Sequence, residues 1–333
     1  MNERLVASAR GGDQTAFAEL TEPFRRELQL HCYRIVGSVP EAEDLVQETL
    51  LSAWQGMAAF QGRSSVRTWL YRIATNRCLN AMRDQQRRPR SVPQPSKPLP
   101  EPSGHIEVTW LDPYPDTLLA RLDDPAPGPH ALVESREAIS LAFVTTMQTL
   151  PPRQRAILLL RDVLGYRGAE VADMLDTTET AVASGLKRAR AALAARTPGS
   201  TAPLPDSPAE RRTVAAFVTA FEQGDVAELV NLLTEDASVS MPPLSQEYVG
   251  YDAITHFFTE VSFARGTRTF RMVPTRANGQ PAFGRYVRDP HAGISHAHGI
   301  TVLTLDEDRI THITSFVDTA LFATFGLPRI LPD

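Results

Sequence analysis

The sequence predicts a multidomain chain with two all-α segments, the second built around a helix-turn-helix, followed by a compact α+β domain. Three observations carry this. Apolar residues recur at helical spacing through residues 1–88 and again through 134–196. Proline-rich stretches at 91–133 and 198–208 interrupt that pattern. From Ala209 onward, two helices give way to strand-like alternation. The length of 333 residues fits two or three domains at roughly 100–200 residues each. The limits are therefore set at 1–90, a linker 91–133, 134–197, a linker 198–208, and 209–333.

In the first segment Ala16, Phe17, Leu20, Phe24 and Leu28 mark helix, and Gly37-Ser38-Val39-Pro40 breaks it. Glu41 to Trp54 follows with an acidic first turn, which suits the positive end of the helix dipole. One face carries Ala42, Leu45, Val46, Leu50, Ala53 and Trp54; the other carries Glu43, Asp44, Gln47 and Glu48. Phe60 to Ser65 is a loop, and Val66 to Arg88 resumes as helix until Pro89. The linker SVPQPSKPLPEPSG should be extended and exposed, with one sticky patch in TWLDPYPDTLLARL. Leu132 to Leu150 is helical up to Pro151-Pro152, and a new helix starts near Arg153. Between Tyr166 and Leu193, two apolar patterns flank Asp176-Thr177-Thr178, the helix-turn-helix arrangement, with Thr177 or Thr178 as the cap.

The last segment begins with helices at Val214–Glu222 and Val226–Leu233. Strands are expected at Ala237–Met241, Phe270–Val273, Ala282–Val287, Gly299–Leu305 and Arg309–Phe316, with a hairpin turn at Asp306-Glu307-Asp308. An antiparallel sheet after helices makes an α+β domain.

A net charge of −5 excludes a uniformly basic nucleic-acid binder, but the average hides local asymmetry. Residues 61–90 hold eight arginines, at 63, 67, 72, 77, 83, 87, 88 and 90, against the single acid Asp84. Such a run is the electrostatic footprint of phosphate binding; a solvated basic face is the alternative. Cys32 and Cys78 form neither a disulfide framework nor a zinc site, and a reducing cytoplasm suits them. The start MNERLVASARGGDQ is polar, and no stretch approaches the roughly 18 apolar residues of a membrane span. A cytoplasmic protein with no membrane partner is expected.

The segment from Trp69 to Arg83 interleaves aromatics with Arg and Asn. Aromatic and guanidinium planes stack on unpaired bases while positive charge follows the backbone, which is what holding a melted strand requires. Trp69 and Tyr71 as core residues are the alternative. In the helix-turn-helix, the second helix enters the major groove. Lys187, Arg188 and Arg190 would then grip phosphates and Thr180 and Ser184 would sit nearer the bases.

AEDLVQETLLSAW and FQGRSSVRTWLYRIATNRCLNAMR resemble the second domain of sigma-70-family factors. LPPRQRAILLLRDVLGYRGAEVADML and TAVASGLKRARAAL resemble their fourth domain. The order, with no further sigma domain between, resembles the extracytoplasmic-function group of RNA polymerase sigma factors. The resemblance implies two main partners, core RNA polymerase (β′ clamp and β subunit) and promoter DNA. It places Asp44, Gln47 and Glu48 on the β′ clamp helices. It places Phe60, Arg63, Ser64 and Ser65 in a loop that captures a flipped −10 base. Trp69, Arg72, Asn76, Asn80 and Arg83 fall on the −10-reading helix. Thr180, Ser184, Lys187, Arg188 and Arg190 fall on the −35-reading helix. The sequence departs from the family at Asn80, where Asp is frequent, and at Ala183 and Gly185, where Lys and Arg are frequent. Losing two charges should weaken −35 affinity and its salt dependence.

AFVTAFEQGDVAELVNLLTEDASVSMPP, VGYDAITHFF and GITVLTLDEDRITHITSF resemble the SnoaL-like, nuclear transport factor 2-like fold. That implies a curved sheet wrapped by helices around a cone-shaped cavity, and a domain that regulates the sigma domains in cis. A small-molecule ligand in this cavity is a candidate partner, and the alternative is a SnoaL-like enzyme or ligand sensor fused to a DNA-binding module. Polar cavity candidates are Asp236, Tyr248, His256, His298, His312 and Asp318. His296 and His298 should share a strand face. Without a third ligand in the spacing, no metal, cofactor or catalytic residue is assigned.

Overall fold

The computed structural model describes residues 3–87, 99–105, 110–119, 138–194 and 202–332. Arg88, Arg90 and the remaining linker residues lie outside this set. The described residues fall into two compact units. One holds 3–87, 138 and 143–194; the other holds 99–105, 110–119, 139–142 and 202–332.

The first unit is helical. Its elements are α1 (Glu3–Arg10), α2 (Gln14–Thr21), α3 (Arg25–Val36), α4 (Val39–Gly56) and α5 (Val66–Arg87). Gly37 closes α3 at φ 79°, a left-handed cap that a side chain resists, and Pro40 starts α4 where no N–H is needed. Ala42, Leu45, Val46 and Ala53 are buried as the stripe predicts, against Leu28, Cys32, Tyr33, Leu70, Ala74 and Cys78 in the same core. His31 in α3 meets Thr75 of α5 at 2.8 Å. Thr75 donates its only hydroxyl proton to the Tyr71 carbonyl, so His31 Nε2 is the donor in that pair.

Next come α6 (Leu141–Gln148), α7 (Pro152–Leu158), α8 (Gly168–Met174) and α9 (Glu179–Ala194). Thr178 Oγ1 accepts from the Ala181 N–H at 3.2 Å, so of the two candidate threonines it is Thr178 that caps α9. Asp176, at φ 49°, makes the tight turn between α8 and α9.

The second unit is α+β. Helices α10 (Pro208–Gln223), α11 (Val226–Asn231) and α12 (Tyr251–Phe257) cover a sheet of β1 (Gly104–His105), β2 (Leu233–Ser240), β3 (Gln246–Val249), β4 (Phe270–Ala277), β5 (Gln280–Asp289), β6 (Ile294–Asp306), β7 (Arg309–Phe316) and β8 (Ile330–Pro332). The strand order is β1-β3-β2-β7-β6-β5-β4, with β8 on β6. Register shifts in β2–β7, β5–β6 and β6–β7 supply bulges, which bend a sheet. The concave core contains Phe217, Phe221, Leu229, Phe257, Phe258, Phe270, Phe283, Leu303 and Ile313.

The described linker residues are built into this unit rather than forming a free flexible segment, and the predicted sticky patch is where they bury side chains. Gly104 and His105 pair with Glu247 and Gln246 on the edge strand β3, whose backbone groups would otherwise stand open. Leu111, Asp112 and Tyr114 are buried. Tyr114 and Asn278 exchange bonds at 2.8 Å, and Asn278 Nδ2 donates to the Ile139 carbonyl, also at 2.8 Å. Asn278 and Gly279 hold φ of 57° and 72°, the left-handed pair that a two-residue hairpin needs. The β4–β5 turn thereby becomes a socket for the linker motif, and Asp116 completes it by accepting from the Gly279 N–H.

Candidate nucleic-acid and polymerase interface

On α4, Asp44, Gln47 and Glu48 are exposed along one face, and Leu51, 58% exposed, extends it by a further turn. An exposed leucine beside three polar side chains is the composition of a docking face, and the sequence reading did not single it out. Glu48 lies 3.8 Å from Arg77 in a surface pair that a partner can exchange at little cost.

The basic helix α5 divides its arginines between structure and display. Arg67 is structural: it forks onto Glu27 of α3 at 2.8–3.1 Å and lies 4.9 Å over the Tyr71 ring. The bond to Glu27 raises its pKa further. Arg72, Arg77 and Arg83 are exposed. Ser52, Trp69, Arg72, Ile73, Asn76, Arg77 and Asn80 line a groove of about 420 Å³. A flat indole wall with arginine and asparagine donors suits an unstacked base. Arg83 donates to Asn80 Oδ1 at 3.1 Å.

Two loop residues also have local structural partners. Phe60 is buried, with its ring 4.8 Å from that of Trp69, so it supports the indole rather than facing solvent. Ser65 caps α5, its hydroxyl accepting from the Thr68 N–H at 3.0 Å. Arg63 and Ser64 are exposed.

Asn76 and Arg72 already have protein partners. Asn76 Nδ2 donates to the Met174 carbonyl at 3.0 Å, and Arg72 lies 3.5 Å from Asp173. Both partners belong to α8. Arg155 of α7 is buried and donates to the Ile35 carbonyl at the end of α3. It also reaches Gln148 Oε1, the Gln148 carbonyl and the Leu150 carbonyl. Burial without a carboxylate pulls its pKa down to about 9.

On α9, Thr180, Ser184, Lys187 and Arg188 are exposed together. Arg190 is held by Asp162 at 2.7–2.8 Å, which leaves it less free for a phosphate. Gly185 faces inward: a Cβ there would stand 2.7 Å from Ile157 Cδ1. Close packing of α7 on α9 therefore accounts for the missing basic residue.

Residues 20–88 match Sigma-70 region 2, residues 140–193 match Sigma-70 region 4, and residues 214–313 match the SnoaL-like domain. Over 98% of its length the chain is 46% identical to the ECF RNA polymerase sigma factor SigG of Mycobacterium tuberculosis, covering 87% of that protein. The chain belongs to the extracytoplasmic-function sigma factors. As a sigma factor it directs transcription initiation. It is also 29% identical to SigJ of the same organism over 71% of this chain and 70% of SigJ. The crystal structure of SigJ shares the fold, with a TM-score of 0.59 at 23% identity, covering 93% of this chain and 98% of that one.

In the SnoaL-like domain of this sigma factor, the polar candidates are dispersed. Asp236, His256 and Asp318 are exposed. Tyr248 donates to the Pro100 carbonyl at 3.1 Å. His312 sits between Ser238 Oγ at 2.5 Å and Ser240 Oγ at 2.8 Å, and burial pushes its imidazole down to about 4. His296 and His298 lie on the Phe270 face but differ in burial: His296 pairs with Val287 and is exposed, whereas His298, in the bulge opposite Arg285, has its ring 5.7 Å from that of Phe270. Arg285, missed by sequence reasoning, is buried on the concave side. Its signal was a lone cation inside the apolar run Ala282–Val287.

Proposed function

We propose that this sigma factor docks on core RNA polymerase through Asp44, Gln47, Glu48 and Leu51. Trp69, Arg72, Asn76, Asn80 and Arg83 engage the −10 element. Thr180, Ser184, Lys187 and Arg188 engage the −35 element. The C-terminal domain regulates both in cis and catalyses no reaction; residues 99–105 and 110–119 are the mechanical handle. The observation that carries the regulatory part is that described linker residues between the two sigma regions are built into the SnoaL-like unit, through β1–β3 pairing and the Tyr114–Asn278 socket. Whatever shifts that domain shifts the tether between the −10 and −35 readers. The Asn76–Met174 and Arg72–Asp173 contacts favour the same reading, since the −10 face must exchange protein partners for DNA.

Reconstituted transcription tests it. Full-length protein and a version ending near residue 200 should differ in promoter output on the same core polymerase. Identical output from both would sink regulation in cis. Asp44→Lys should lower core binding in a pull-down with purified polymerase, and unchanged binding would remove α4 from the docking face.

A further inference from the structure

The concave face of the SnoaL-like sheet holds polar groups that its apolar core does not explain. Arg285 on β5 is 5% exposed. Its register partner is Gly299 on β6, and a Cβ at 299 would come within 3.2 Å of Arg285 Nη2 and 2.3 Å of the Phe316 carbonyl oxygen. The glycine therefore leaves the guanidinium room to lie against the sheet. Among the described residues no hydrogen-bond acceptor meets Arg285, and its Nε is fully buried and unpartnered. Among the described residues its ring contact is Phe270, at 5.9 Å.

Thr301 on β6 pairs with Phe283, two residues from Arg285, so Thr301 and Arg285 share a face. Thr301 is fully buried, and its Oγ1 also lacks a partner. His298, in the bulge beside Gly299, faces Phe270 and is neutral, because burial and the charges of Arg285 and Arg268 push its imidazole down to about 3. Arg268 brings a second positive charge, with its own bonds spent on the Val261 and Ser262 carbonyls. Among the described residues no acid compensates Arg285. An unpaired buried guanidinium is expensive, and buried donors without acceptors are rare in native folds.

The structure assigns this place, we infer, as a binding site for a monocarboxylate with a compact aromatic or alicyclic body. A carboxylate matches the fork of Arg285 with two parallel bonds and leaves Thr301 Oγ1 a further acceptor. The body meets Phe270, which itself packs on Phe221 and Phe263 with ring separations of 5.3 and 5.9 Å. A bare inorganic anion would leave those rings without a counterpart. The inference stands apart from cis regulation: a failure to bind leaves the transcription test untouched.

Isothermal titration of the full chain with phenylacetate, phenylacetamide and inorganic phosphate at fixed ionic strength tests it, with thermal unfolding in parallel. Phenylacetate should bind at one site and raise Tm, and the neutral amide should do neither. Arg285→Met should bind phenylacetate at least tenfold more weakly, the loss of a charge-assisted pair. Without ligand, Arg285→Met should melt at or above the wild-type temperature, because it removes an unpaired buried charge. Thr301→Val should weaken binding by a smaller factor. No saturable binding of phenylacetate, equal binding of the amide, or unchanged affinity in Arg285→Met would overturn the site. Phosphate binding as tight as phenylacetate would overturn the carboxylate assignment.

Discussion

A lysine introduced at Gly185 tests whether charge or packing decides this turn of α9, the helix proposed to engage the −35 element. Charge alone favours it, since the resemblance places basic residues at this turn. Packing opposes it: the Cβ would sit 2.7 Å from Ile157 Cδ1, and Ile157 is itself buried. Overpacking a core costs about 1–3 kcal/mol, while replacing a helical glycine returns about 0.5–1 kcal/mol. Gly185→Ala should therefore lose between nothing and about 2.5 kcal/mol. Gly185→Lys should lose at least as much, because its stem starts in the α7–α9 contact. Ala183 is exposed on the same helix. Ala183→Lys should fold normally and steepen the slope of log affinity against log salt by about 0.9, one added phosphate contact. Urea unfolding of each variant gives the stability, and fluorescence anisotropy on a −35 duplex across a salt series gives the slope. Ile157→Val, which deletes the clashing methyl, should recover about 1 kcal/mol of the Gly185→Ala loss in a double-mutant cycle. A Gly185→Lys protein as stable as wild type, with the steeper slope, would refute the packing argument.

Arg155→Met removes the bond from α7 to the Ile35 carbonyl, a charge-assisted bond of about 1.5–3 kcal/mol. Hydrogen exchange at the end of α3 and in α8 should speed up roughly tenfold or more, and unchanged protection would show that the bond is not a tie. Asn278→Ala orphans the Tyr114 N–H and the Ile139 carbonyl, at about 1–3 kcal/mol for each buried group. Residues 110–119 should then exchange faster while the concave core keeps its protection. The pH dependence follows from His312, neutral in the fold at a pKa of about 4 against 6.5 in the open chain. The unfolded chain binds the extra proton, so stability is lost as pH falls from 6.5 towards 4, by roughly 2–3 kcal/mol. His312→Gln should flatten that part of the urea-midpoint profile against pH.

Regular elements were legible because burial follows period. Arg309–Phe316 is a strand over the expected residues, and the α4 stripe is buried as its 3.6-residue spacing requires. What sequence could not show depends on partners distant in the chain. Gly104-His105 reads as loop in a proline-rich stretch and becomes strand only because Glu247 and Gln246 offer an open edge. Tyr114 is buried only because Asn278 turns a hairpin tip into a socket. The exposure of Asp44, Gln47, Glu48, Lys187 and Arg188 followed from helix faces alone. The burial of Phe60, the Ser65 cap and the Asp162 clamp on Arg190 needed three-dimensional neighbours. The one-residue bulge beside His298 was equally invisible, because period-two reasoning assumes an unbroken ladder.

Two buried arginines, one in each unit, show how a fold distinguishes a structural cation from a receptive one. Arg155 and Arg285 are both nearly inaccessible, and burial lowers the pKa of each, to about 9 and about 10. Neither meets a carboxylate among the described residues. Arg155 resolves its cost with carbonyl and amide oxygens at three sequence positions, which fixes helix ends that would otherwise carry unsatisfied acceptors. Four oxygens take up its Nη donors and its Nε stays buried without a partner, whereas among the described residues no oxygen meets any donor of Arg285. Arg285 lies on a strand whose carbonyls are already spent on β4 and β6, so the sheet offers it no such acceptors. The neighbouring groups with hydrogen-bonding capacity are Thr301 without a partner, Arg268 and a neutral His298, none of them a carboxylate that would balance the charge. A helix terminus can absorb a buried guanidinium, whereas the middle of a sheet can only present it. The described linker residues belong to the same unit as Arg285, so a ligand held there would bind the body that carries them.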